Sequence, residues 1–338
     1  MGEFLQSERF KWTGLLAGVV LIGILAMFSI SVGITRIPFS AVAESIIHYQ
    51  PANNEHLIIW TTRVPRTVFA LAVGASLAVA GAIMQALTKN PLASPATLGV
   101  NAGASLFIVG GVTFFSITAM SSLMILGFVG AAAAAVIVYF LGAVGREGLT
   151  PLKLTLAGAA IAAFFASITQ GLLVMNEKGL NELLFWLTGS VEGRSLENAL
   201  PVFPFMLAGL LLSLWIAPAI DVLTMGEDVA KGLGMKIAWI KGIGALIIVL
   251  LAGGSVAVAG PIAFIGLVVP HMVRAWVGAS HRLIIPYAAV YGAALLMSAD
   301  IVGRLVMNQQ EIPVGVMTAI LGTPSFIYLA RRKGSEQG

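Results

Sequence analysis

The chain has 338 residues, is 58% hydrophobic, carries only 10% charged residues and has a mean hydropathy of +0.97. A soluble domain carries about 25% charged residues, so this composition excludes a soluble fold. There is no cysteine, which excludes disulfides and thiolate metal sites, and the net charge of +4 is a topology signal that needs no nucleic acid.

Charges serve as rulers, because uncharged apolar runs near 20 residues read as transmembrane helices. The first run is 12–35. It has a basic start and no small-x-small cleavage site, so it reads as a retained span rather than a cleaved signal peptide. After a long loop, 34–66, the second run is 67–88. The next, 90–145, is 56 residues long and divides around 116–122 into two spans. Runs 154–176 and 198–220 follow, separated by the loop 175–197. Beyond the loop 218–241, the run 242–273 divides at Gly260-Pro261, where proline ends one helix or starts another. The last two are 283–299 and 312–330. These elements predict an all-α integral membrane protein of about ten transmembrane helices, the eighth and ninth short, in a single polytopic domain covering 1–338.

An even number of spans puts both termini on one side. Both ends are basic, Arg9 and Lys11 at one and Arg331, Arg332 and Lys333 at the other, so the positive-inside rule places them in the cytoplasm. Of the nineteen basic residues, only Arg36, Arg63, Arg66, Lys178, Arg194 and Arg304 then face outward.

The helices are rich in small residues, with 38 glycines, which lets membrane helices pack closely. "GASLAVAG" (74–81) and "GGSVAVAG" (253–260) agree at six of eight positions. In this topology they run in opposite directions. Inverted repeats are a transporter habit, although Gly/Ala/Val words also recur by composition alone.

Several chemistries are absent. There is no G-x-x-x-x-G-K-[ST] phosphate loop, no H-E-x-x-H and no G-x-S-x-G. The four histidines form no close pair at ligand spacing, so neither a metal site nor a cofactor is expected, and no enzyme constellation exists. His271, one turn before Arg274, reads as an interfacial hydrogen-bonding residue. Nearly every charge falls at a helix end or in a loop. The buried ionisable groups that mark proton- or ion-coupled pathways are not expected, and energy for transport would come from elsewhere.

One polar scrap, "LTMGEDVAKGLGM" (223–235), interrupts the apolar chain. Thr224-x-x-Glu227 matches a capping box. Glu227 and Asp228 suit a helix N-terminus, Lys231 follows Glu227 at the pairing distance, and Gly232 and Gly234 can stop the helix. A helix this short is not stable alone. Either it is an ordinary interfacial loop helix or a partner docks on it.

Six words, in order, carry a resemblance that spans about 15–331. They are "RVPRTVFALAVGASLAVAGAIMQALTKNPLASPATLGVNAGAS" (63–105), "FWLTGSVEG" (185–193), "GEDVAKGLGM" (226–235), "AGPIAFIGLVVPHMVR" (259–274), "SADIVGRL" (298–305) and "EIPVGVMTAILGTPSFIYL" (311–329). With them the chain resembles the FecCD family, the permease subunits of ABC importers for iron–siderophores, haem and vitamin B12.

The resemblance implies a ten-helix permease that pairs with a second permease, sits above two ATP-binding cassette ATPase subunits and receives cargo from an extracytoplasmic substrate-binding protein. It places the family's coupling helix at 226–235. Gly226, Glu227, Asp228, Ala230, Lys231, Leu233 and Gly234 would then be the handle for the ATPase. It points to Arg63, Arg66 and Arg304 as docking residues, since in the similar B12 permease arginines at these motif positions receive glutamates of the binding protein. Guanidinium forks suit carboxylates. Alternatively, Arg63 and Arg66 anchor the second helix at the interface, and Arg304 pairs with Asp300 four residues before it. Thr150, Pro151 and Leu152 fall where the resembling B12 permease narrows its inner gate; plain loop punctuation is the alternative.

The reading is thus a permease without its own ATPase site, carrying a ferric siderophore or similar chelate across the inner membrane of a bacterium. A secondary transporter or channel working without an ATPase is the alternative.

Overall fold

The computed structural model describes residues 8–33, 35, 37–144, 150–175, 186–306 and 311–324. Arg36, Arg146, Lys178, Arg331, Arg332 and Lys333 lie outside the described residues. Among those described there is no strand. In those same residues seven helices are long and apolar enough to cross a membrane, and three apolar helices are shorter.

Helix α1 (Glu8–Ser31) leads to α2 (Phe39–Ile47), which buries Ala41, Val42 and Ser45 and exposes Phe39, Ile46 and Ile47. The Phe39 ring meets Phe28 of α1 edge-on at 6.0 Å. Next comes α3 (Asn54–Thr88), the most deeply buried span. Its small residues allow neighbours to close on every side. A π turn, Ile59–Arg63, widens it just before Pro65, whose ring cannot sit above a regular carbonyl four residues back.

The long run 90–145 divides where expected. Helix α4 (Val100–Phe115) ends at Ser116, with φ +51°, and α5 (Met120–Ala143) begins four residues later. Helix α6 (Pro151–Met175) packs beside both but leaves most of its surface open. A loop and one helical turn, Leu196–Ala199, precede α7 (Phe203–Met225) and then α8 (Glu227–Gly232).

Helix α9 (Ile237–Ala259) stops at Gly260, with φ +74°, and Pro261 follows, so this break is also where the sequence puts it. Helix α10 (Ile265–Val277) is short, as expected for the eighth span. Pro270 inside it has no N–H for the Gly266 carbonyl. Gln85 Nε2 donates to that carbonyl at 3.3 Å instead, and Arg274 Nη2 donates to Gln85 Oε1 at 2.6 Å. A proline in one helix thereby explains a buried glutamine in another.

Helix α11 (His281–Val306) corrects the expectation of a short ninth span. It has 26 residues and runs through Asp300 and Arg304 without ending at either. A charge ends a span only if it must reach water, and both of these are neutralised inside the protein. Helix α12 (Val314–Pro324) is the last described.

The repeated words 74–81 and 253–260 both lie in the interior, on α3 and at the end of α9. At Gly81 a methyl group would overlap the Gly266 carbonyl of α10, and at Gly74 the Gly292 carbonyl of α11. Close approach of the backbones, rather than conformational freedom, dictates these glycines.

Candidate functional site

At one end of the bundle, α7 continues through Met225. Thr224 Oγ1 donates to the Asp221 carbonyl at 2.8 Å, so Thr224 belongs to the last turn of α7 and does not cap α8. The capping-box reading is therefore corrected. Gly226 makes the turn instead, at φ +139°, a conformation that favours glycine. The stop is as expected. Gly234 adopts φ +76°, and Met235 N–H closes back on the Ala230 carbonyl at 3.0 Å.

Within α8, Ala230 is buried against the bundle, whereas Val229 and the following Leu233 are exposed. Val229 and Leu233, at i and i+4, form an exposed apolar edge, Met225 before the turn is exposed as well, and Asp228 is fully exposed beside them. Lys231 does not pair with Glu227; its Nζ lies 3.7 Å from Asp228. Glu227 is taken by Lys241 at 2.9 Å, on the first turns of α9.

The hydrogen bond from Lys241 holds the Glu227 carboxyl below the ordinary glutamate value, with burial opposing and Lys89 and Lys231 adding to the effect. A depressed carboxyl contributes stability above its unfolded value of about 4.3 and loses it as pH falls through the folded value. The pair is thus fully formed at neutral and mildly acidic pH.

Lys241 also lines a cavity of about 300 Å³ with Thr150, Leu154, Met84, Leu87 and Tyr139. The expected gate segment begins here. Thr150 Oγ1 accepts the Lys153 N–H at 3.3 Å, Pro151 opens α6, a position that suits proline, and Leu152 is exposed. Lys241, which sequence reasoning missed, thus pairs with Glu227 of α8 and shares this cavity with Thr150. Only the tertiary fold reveals Lys241, because Lys231 is the nearer lysine in the chain.

At the opposite end, all three expected docking arginines are buried. Arg66 forks onto Asp300, with Nε at 3.0 Å and Nη2 at 2.8 Å, and gives Nη1 to Glu311. Arg304 also binds Asp300, four residues earlier on α11, and reaches back to α1 through the Ser29 carbonyl at 2.7 Å and Ser29 Oγ at 2.9 Å. Arg63 donates to the main-chain oxygens of Val32 at 2.5 Å and Thr35 at 3.1 Å. Arg66 is 5% exposed, Arg304 4% and Asp300 2%.

The guanidiniums are turned inward in this conformation. One expectation changes here: the charges are not confined to helix ends and loops, since a buried cluster ties α1, α3, α11 and the segment before α12 together. The alternative for Arg304, pairing within its own helix, is what the geometry has.

Beside this cluster the loop 186–193 dips to the helix break. Ser190 N–H donates to the Ala259 carbonyl at 2.8 Å, and Gly315 N–H donates to the Gly189 carbonyl at 2.9 Å. Irregular backbone is thereby kept inside protein, where a membrane protein tolerates it. No group of three or more metal-ligating residues exists among the described residues.

Long apolar spans, a helix broken within the protein and a charged cluster held away from lipid define a multi-pass membrane protein built as transporters are. Residues 20–332 match the FecCD transport family, and the chain belongs to that family. It is 51% identical over 327 residues to the "Probable siderophore transport system permease protein YfiZ" of Bacillus subtilis (strain 168), covering 97% of this chain and 98% of the relative. It is 40% identical over 318 residues to the ferric enterobactin transport system permease protein FepD of Escherichia coli (strain K12), covering 94% of each. Among solved structures it is similar to a metal-chelate type ABC transporter in an inward-facing conformation. That match has a TM-score of 0.83 at 26% identity and covers 95% of this chain and 99% of the other.

Proposed function

We propose that this chain is the transmembrane permease subunit of an ATP-driven importer that passes a ferric siderophore, or a similar metal chelate, across the cytoplasmic membrane of a bacterium. The observation that carries this is α8, a six-residue helix that buries Ala230 and exposes Val229, with the exposed Met225 and Leu233 flanking it on either side. Apolar exposure of this kind on so short a helix calls for a partner. The sequence has no phosphate loop, so the partner is an ATPase carried on a separate chain. The relatives named above are permeases of siderophore systems, which supports the cargo class.

The chain crosses the membrane ten times as a single permease domain over 1–338, with both termini in the cytoplasm. The end bearing α8 faces the ATPase. Glu227 and Lys241 carry its motion to Thr150, Pro151 and Leu152, which form the inner gate. A binding protein docks over the opposite end, above Arg63, Arg66 and Arg304. Arg63 is the one of the three with no carboxylate ion pair among the described residues, so an acidic group of that protein engages it as its bonds to the Val32 and Thr35 carbonyls open. A second permease subunit, the same or related, completes the path.

Helix α6 is the wall of that path. It is mostly exposed, yet its open side carries Thr155, Ser167 and Gln170. Polar side chains at membrane depth face a water-filled route or another helix rather than lipid. The chain has no cysteine, so it is a ready background for labelling. Gln170→Cys is expected to react with a membrane-impermeant thiol reagent, and to be protected when a loaded binding protein and ATPase are locked in place. No reaction in any state would remove α6 from the path.

The class itself is tested by purifying the tagged chain from membranes in mild detergent and identifying its companions by mass spectrometry. An ATPase and a different permease are expected for a heterodimer. An ATPase with this chain alone would make it a homodimer. An intact bundle with no ATPase would overturn the reading in favour of a transporter or channel that works without one.

A further inference from the structure

We propose that Asp221 is the joint through which the motion of α8 reaches α11, and through α11 the charged cluster at the far end. The inference rests on the reading of α8 as the helix the ATPase pushes.

Asp221 lies on α7, five residues before the Gly226 turn. Its carboxylate leaves its own helix and caps another. Oδ1 accepts the His281 N–H at 2.5 Å and lies 2.9 Å from His281 Nδ1, and Oδ2 accepts from Ser280 Oγ at 3.1 Å. Residues 280 and 281 are the start of α11, where main-chain N–H groups lack helical partners and an anion is favoured. One carboxylate so placed joins the end of α7 to the end of α11. His281 is buried, and its Nε2 has no partner among the described residues. The ring's polar contact there is the one with Asp221.

Helix α11 is a rod of 26 residues, about 39 Å long at 1.5 Å per residue. It is bolted to α1 along its length. Tyr287 donates to the Lys11 carbonyl, Tyr291 to the Gly14 carbonyl at 3.0 Å, and Arg304 to the Ser29 carbonyl at 2.7 Å. A displacement at the Asp221 end therefore moves α1 and α11 as a unit and arrives at Asp300, which holds Arg66 of α3. Helix α8 has two outlets. Glu227–Lys241 leads to the cavity beside Thr150, and Asp221 leads to the opposite end of the bundle.

The test uses the complete complex, ATPase and binding protein included, in proteoliposomes. Asp221→Ala is expected to assemble and hydrolyse ATP at the basal rate, because Asp221 touches no nucleotide. Stimulation of hydrolysis by the loaded binding protein, and uptake with it, are expected to fall about tenfold, within the usual range of coupling between sites. Asp221→Asn keeps an acceptor for the His281 N–H and is expected to fall between. The cysteine-free chain permits a rescue. Asp221→Cys with Ser280→Cys is expected to be defective until a short bis-maleimide, which adds both thiols across its two double bonds, joins the two positions and restores stimulation.

A merely structural role would lower basal and stimulated hydrolysis together, whereas loss of the joint lowers stimulation alone. Full stimulation in Asp221→Ala, or a linked pair that stays defective, would overturn the joint while leaving the importer reading intact. Absence of ATP hydrolysis by the unmodified complex would overturn the importer reading and the joint with it.

Discussion

Asp300→Ala is expected to destabilise the folded chain by about 3–5 kcal/mol, the cost of breaking a buried ion pair from one side. Asp300 receives both Arg66 and Arg304, and all three side chains are buried. Among the described residues, removing the carboxylate leaves Arg304 with Ser29 and the Val32 carbonyl, and Arg66 with Glu311. The drop is to be read as a lower midpoint of thermal unfolding in detergent, or as loss of the monodisperse peak on size exclusion. Asp300→Leu combined with Arg304→Met removes a charge of each sign and keeps the Arg66–Glu311 pair. It is expected to recover most of the stability, since an apolar pair can replace a buried ionic one. An unchanged midpoint for the single variant would mean that the arginines find other partners.

Glu227→Arg is expected to cut chelate uptake by more than about tenfold while ATP hydrolysis continues, a loss of coupling of the size seen between linked sites. In the folded chain Glu227 faces Lys241 at 2.9 Å, with Lys89 and Lys231 also in electrostatic reach. A guanidinium there meets three cations and pushes α8 off α9. Glu227→Gln, by contrast, is expected to be mild, because a partly exposed pair contributes less than about 1 kcal/mol. Uptake of a radiolabelled ferric chelate and phosphate release are measured together in proteoliposomes. Normal uptake by Glu227→Arg would strip α8 of its coupling role.

Much of the architecture is legible in the sequence because spans in lipid leave coarse signals. The division near 116–122 and the break at Gly260-Pro261 both fall where polarity or proline leaves no other choice. The ruler fails at α11, where Asp300 and Arg304 are inside the helix. Arg66, the other partner of Asp300, is 234 residues away from it, and no local pattern announces it. Position alone places Arg63, Arg66 and Arg304 at one end of the bundle. Whether a guanidinium turns outward to a partner or inward to a carboxylate depends on which neighbours the fold supplies, and here they are Asp300, Glu311 and the carbonyls of Val32 and Thr35. Thr224 misleads for a different reason. Its capping pattern is valid chemistry, but α7 runs two residues further, and glycine takes the turn.

The glycine crossings of α3 have a mechanical meaning. At Gly81 against Gly266, and Gly74 against Gly292, backbone meets backbone with no side chain between. Interlocked side chains act as gear teeth, and rotating one such helix over another means lifting each tooth from its slot. A crossing without teeth sets the separation of the axes by backbone contact alone, so a single methyl group at Gly81 or Gly74 would push α10 or α11 away from the most deeply buried span.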